Sequence, residues 1–124
     1  MKFNKKGFTL VEIMIVVAII ALLAVIAVPN LIKARETTQK STCSNNKRLI
    51  YDGIDQWALD TGAGTTAVPT GTNIASFIKG DVVPVCKVGN TAYQLGGTVA
   101  APLVKCLSGV TNHNTTAEQA LAAP

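Results

Sequence analysis

Glu12 is the only charged side chain between residues 8 and 28, where nearly every other residue is apolar. A carboxylate at membrane depth is costly and needs a partner. No Lys or Arg lies inside the run, so the partner must be a chain terminus, a neighbouring chain or a proton. The plainer reading is a carboxyl that protonates or bends back to an interface. The other reactive groups are three cysteines, Cys43, Cys86 and Cys106. An odd number permits at most one internal bridge, with three choices of pair. They lack the closely spaced thiols of common metal sites, so no metal is expected. His113, the only histidine, has no nucleophile pattern near it and reads as a solvent-facing tail residue. No catalytic constellation is present, which points away from an enzyme and from a cofactor.

The elements that carry these groups follow from composition and period. Residues 1–7 are short and basic, with Lys2, Lys5 and Lys6, and end in Gly7. Residues 8–28 would span roughly 31 Å as a helix, about the thickness of a bilayer core. A secretory signal has an apolar stretch of only ~7–15 residues, so a transmembrane helix is expected instead. Lys33, Arg35, Lys40, Lys47 and Arg48 on the far side nearly cancel the basic N-terminus as an orientation signal. The cysteines favour an oxidising compartment on the C-terminal side. Pro29 closes the apolar run without closing the helix. Beyond it Ile50, Ile54 and Trp57 recur at spacings of four and three, with Cys43 on the same face. One helix is expected from about Phe8 to about Asp60, lipid-soluble first and amphipathic later, with Gly62 as its left-handed cap.

After the helix, residues 61–81 read as a surface loop with a short helical turn around 74–78. Strands are expected at 82–88, at 91–95 after a Gly89-Asn90 turn, and at 103–107, with a bend at Gly96-Gly97. Residues 111–124 read as a partly ordered tail. Asn114-Thr115-Thr116 matches a glycosylation sequon, and Tyr51 and Trp57 read as packing residues. The chain has 124 residues and a formal charge of +4. Lys2, Lys5 and Lys6 supply most of that excess, so a general nucleic-acid footprint is weak. The basic cluster Lys40, Lys47 and Arg48 reads first as a solvated helix face.

The run Lys5-Lys6-Gly7-Phe8-Thr9-Leu10-Val11-Glu12, followed by an apolar helix and Pro29, resembles the prepilin signature of the type IV pilin and type II secretion pseudopilin superfamily. The likeness is dense over about the first 35 residues and beyond them is one of architecture. It implies an α+β, type IV pilin-like fold. A long N-terminal helix, half of it transmembrane, would pack on a small antiparallel sheet of about three strands. It also implies a leader at 1–7, a membrane and filament-core helix at 8–29, and a periplasmic or extracellular globular part at 30–124. That part divides into helix to about 60, loop 61–81, β-region 82–110 and tail 111–124.

The same resemblance implies cleavage between Gly7 and Phe8 by a prepilin peptidase, followed by N-methylation of Phe8. Phe8, Thr9, Glu12 and Pro29 would then serve assembly. Cleavage creates an amine on Phe8 that Glu12 of a neighbouring subunit can neutralise, so two costly charges are satisfied on polymerisation. The subunit would wait in the inner membrane as a single-pass protein and be taken up by pilus or secretion machinery. It would end in an extracellular pilus or a periplasmic pseudopilus. The alternatives are a secretion pseudopilin and a DNA- or surface-binding competence or adhesion pilin, with Lys40, Lys47 and Arg48 as its contact. Two departures stand out. Ala21 holds the place where many members have Gly, and only Glu118 is acidic after Asp81, which disfavours an acidic calcium loop. Some pilin-like proteins likewise have one helix cysteine and two in the sheet region. Cys86 with Cys106 is the favoured bridge, worth ~3 kcal/mol by chain entropy. Cys43 is then a buried free thiol; a Cys43 bridge, or none, stays open.

Overall fold

The computed structural model describes residues 7–120, so Lys2, Lys5 and Lys6 of the expected leader lie outside the described residues. A single helix, α1, runs Leu10–Thr61 with Pro29 inside it. The contacts divide the chain into two units at Glu36 and Thr37. In the first, no described residue outside α1 buries its apolar side chains. From Leu10 to Ile32 every large apolar side chain is at least half exposed. Among the described residues this is the one helix long and apolar enough to cross a membrane.

In the second unit α1 turns one stripe inward: Cys43, Lys47, Ile50, Gly53 and Ile54. The four- and three-residue spacing puts them on one face, while Leu49 between them stays half exposed. The helix stops as its sequence requires. Gly62 takes φ +64°, and the Ala63 N–H closes back on the Ala58 carbonyl at 3.1 Å, the wide bond of a left-handed cap.

The expected loop at 61–81 contains α2 (Gly71–Ile74) and a 3-10 turn (Ala75–Phe77). Thr70 caps α2 by accepting from the Asn73 N–H. This turn delivers Ile74 and Ile78 to the core. Ile78 packs so close to α1 that any side chain at 53 would force it to move: a Cβ there would lie 2.9 Å from its Cγ1.

The α+β pilin-like architecture is borne out, with a smaller sheet than expected. Two antiparallel strands, β1 (Tyr93–Thr98) and β2 (Ala101–Cys106), pair Tyr93 with Cys106 and Leu95 with Val104. The third strand, expected at 82–88, is reduced to one bridge between Cys86 and Thr91. Pro84 has no N–H to give a ladder, and the Val85 carbonyl accepts instead from Asn46 Nδ2 at 3.0 Å. The Gly89-Asn90 turn is present, with both residues at positive φ. Gly96 and Gly97 do not break the strand; they lie within β1. The hairpin tip is held by the loop, since Val99 and Ala100 donate to the carbonyls of Ala67 and Thr65.

The expected tail is also corrected over its described part. Residues 111–120 form a 3-10 turn (Thr111–His113) and α3 (Thr116–Gln119). His113 and Glu118 are buried.

Candidate functional site

Thr9 precedes the first residue of α1 and caps it. Its hydroxyl accepts from the Glu12 N–H at 3.3 Å, while its own N–H and hydroxyl donate to Glu12 Oε2 at 2.7 and 2.8 Å. This reciprocal pair is a capping box, in which two unpaired helix-end donors are satisfied by the two side chains. Glu12 therefore has a hydrogen-bond partner within its own chain, in addition to any terminus, neighbouring chain or proton. The spacing Thr9-x-x-Glu12 is the sequence signal for it, set within an apolar run where charge is the more conspicuous feature. Both bonds land on one carboxylate oxygen.

Around this cap the surface is apolar and open. Phe8 is 85 % exposed and lies with Ile13, Ile15 and Val16 along a shallow depression that includes Glu12. A soluble monomer does not expose a contiguous apolar patch of this extent. Such a surface suits lipid or other helices. Pro29 removes one backbone bond midway along the helix without ending it.

The basic cluster is not one face. Lys40 and Arg48 are exposed, but Lys47 is buried. Lys47 Nζ donates to Glu118 Oε2 at 2.7 Å, to the His113 carbonyl at 2.6 Å and to Asn114 Oδ1 at 3.1 Å. The remaining oxygen of Glu118 accepts from the Tyr51 hydroxyl, which itself accepts from the Val104 N–H. Burial pushes the Glu118 carboxyl up. The Lys47 ammonium and the Thr115 N–H and hydroxyl outweigh burial and hold it below the usual value. Asn114 is equally committed: it accepts from the Cys106 N–H and donates to the Cys106 carbonyl. Its amide is thus occupied, which tells against the sequon.

All three cysteines are buried free thiols, so the expected Cys86–Cys106 bridge is not formed here. The fold nevertheless brings them together. The three Sγ atoms and a ring nitrogen of His113 all lie within 4.8 Å of one another. Burial pushes the Cys43 thiol up to about 12. His113 is not solvent-facing: Nδ1 sits 3.7 Å from Cys86 Sγ, and burial with the charges of Lys47 and Lys40 lowers its basicity. Wide separation in sequence concealed this convergence.

Residues 2–28 match the prokaryotic N-terminal methylation motif. The chain is similar to competence protein ComGC of Bacillus subtilis, 34% identical over 96 residues, spanning 77% of this chain and 95% of the relative. It is similar to the type IV major pilin protein PilA of Myxococcus xanthus, 48% identical over 52 residues, 40% of this chain and 24% of that pilin. A third relative is type II secretion system core protein G of Escherichia coli, 31% identical over 81 residues, 65% of this chain and 54% of the relative. No solved structure matches.

Proposed function

Because the chain belongs to the type IV pilin and type II secretion pseudopilin superfamily, we propose that it is a structural subunit of a competence-type pilus. Polymerisation into a pilus-like filament is what the superfamily does, and a membrane-anchored state precedes it. The choice of machine rests on extent of likeness. The competence protein is matched along 95% of its length, the secretion protein along 54%. Glu118, the single acid after Asp81, is already bonded to Lys47, Tyr51 and Thr115, which further disfavours an acidic calcium loop of the secretion type.

The observation that carries the filament reading is the capped Glu12 on an apolar helix segment whose large side chains are all at least half exposed. Prepilin peptidase cuts between Gly7 and Phe8, and the new Phe8 amine of one subunit meets Glu12 of the next. Thr9 occupies Oε2; Oε1 is the atom offered to that amine. Helix-on-helix contacts of this head-to-tail kind do not close, so they extend into a fibre. With Lys47 buried, DNA contact through the basic cluster is reduced to Lys40 and Arg48.

Electron microscopy of sheared surface material, joined to mass spectrometry of its subunits, tests this. Fibres containing a chain that begins at Phe8 are expected; a chain still beginning at Met1 overturns the reading. Deletion that abolishes DNA uptake while protein secretion continues supports the competence assignment, and the reverse favours the pseudopilin.

A further inference from the structure

We infer that Cys43, Cys86, Cys106 and His113 are the four ligands of a structural zinc site that ties the globular unit together. None of these four residues is among those that serve filament assembly. Every cysteine of the chain and its only histidine meet at this one point. Independent burial of four unrelated core residues gives no reason for that coincidence.

The geometry fits one ion. Bonds of ~2.3 Å to sulfur and ~2.0 Å to nitrogen place tetrahedral ligands about 3.5–3.8 Å apart. Cys86 Sγ and His113 Nδ1 stand at 3.7 Å, and the whole set lies within 4.8 Å. The widest pairs must close by up to about 1 Å on binding. An iron–sulfur cluster needs wider separation, while three thiolates with one imidazole suit zinc. All four residues are buried, which leaves no open coordination position and makes the role structural.

Each ligand comes from a different segment, and each segment is separately held. Cys43 lies in the buried stripe of α1. Cys86 donates its N–H to the Thr91 carbonyl at 2.7 Å. Cys106 ends β2 with its N–H and carbonyl both bonded to Asn114. His113 has its carbonyl fixed by Lys47. Outer partners are also in place: the Tyr93 hydroxyl donates to Cys43 Sγ at 3.3 Å, and Ser108 Oγ is 3.1 Å from Cys106 Sγ. Such hydroxyls stabilise bound thiolates and orient them. Three thiolates and a neutral imidazole around a dication leave one net negative charge, which the Tyr93 and Ser108 hydroxyls beside the sulfurs help to stabilise. A unit whose described residues form two strands and a small core gains most from such a tie.

The test uses the full chain in detergent. Purified without added metal, it is expected to carry one zinc ion per chain by plasma mass spectrometry. Chelation should lower the unfolding temperature, and Zn2+ alone should restore it. Co2+ alone should give tetrahedral ligand-field bands with thiolate-to-cobalt charge transfer. Cys43→Ser should lose about a third of that charge transfer or the ion altogether. His113→Cys keeps four ligands should the serine variant fail to fold, and should raise charge transfer by about a third. Two results overturn the site. One is a chain without zinc that gives no tetrahedral cobalt spectrum. The other is a freshly isolated chain two hydrogens lighter than its reduced form, which marks a disulfide, whatever the reduced protein binds.

Discussion

Lys47 Nζ lies 2.7 Å from Glu118 Oε2, joining α1 to α3 across 71 residues of sequence with both side chains nearly out of solvent. A long-range ion pair at this depth is costly to form but more costly to break, because removing one partner strands the other. Here the pair is also the hub of other bonds. Lys47 fixes the His113 carbonyl, and Glu118 closes the cap of α3 on the Thr115 N–H.

Lys47→Ala is therefore expected to destabilise the globular unit by about 3–5 kcal/mol, the range for an orphaned buried charge. Arg48→Ala, one residue along and exposed, should change stability by less than ~0.5 kcal/mol. Denaturant midpoints of the full chain in detergent compare the two. Equal effects would mean that the pair adds nothing.

Acid should weaken the same tie. Glu118 has a folded-state pKa below its ordinary value of 4.5. The stability it contributes is thus present in full above that value and is lost as pH falls through the lower folded-state value. Glu118→Gln removes the titration while keeping a residue able to cap Thr115. The stability gap between wild type and Glu118→Gln should be constant from neutral pH down to about 5 and should narrow below it. Thermal unfolding at stepped pH measures the gap. A gap that widens in acid would contradict the pairing.

Much of this fold is written in local chemistry. Gly62 ends the helix and Gly89-Asn90 turns the chain because those positions need positive φ, which the residue types announce. The stripe Cys43, Ile50, Ile54 was legible from period alone. What stayed hidden depends on partners far away. His113 sits in a polar stretch, and what holds it in place is Lys47, 66 residues away, which donates to its carbonyl and to the Asn114 side chain. Residues 82–85 have the composition of a strand, yet Pro84 and the Asn46–Val85 bond withhold the ladder. The convergence of three distant cysteines cannot be seen before the topology is known.

Gly97 illustrates a constraint that composition could not grade. Its φ is +72°, and a Cβ there would collide with the Ala101 carbonyl oxygen and lie 3.2 Å from the Leu103 nitrogen. Gly62 has a similar φ of +64° but nothing within 4 Å of a Cβ. Gly62→Ala should cost about 1 kcal/mol, the left-handed penalty alone. Gly97→Ala should cost at least about 2 kcal/mol, because the backbone of the hairpin must also move. Matched denaturation curves separate them. A smaller loss at 97 than at 62 would refute the close approach.

The capping box makes the roles of Thr9 and Glu12 separable. Glutamine at position 12 can still accept from the Thr9 N–H, so Glu12→Gln keeps the helix start but removes the charge. Thr9→Ala does the reverse: the carboxylate remains, and the hydroxyl that receives the Glu12 N–H is gone. If neutralisation of a neighbour's amine drives polymerisation, Glu12→Gln should abolish filaments at unchanged amide exchange in the first helical turn. Thr9→Ala should speed exchange there and reduce filament yield only in part, with Thr9→Ser restoring both. Counting fibres in sheared fractions against hydrogen exchange of the detergent-solubilised chain reads the two effects independently. Normal fibres from Glu12→Gln would show that the carboxylate serves the cap and not the contact between subunits.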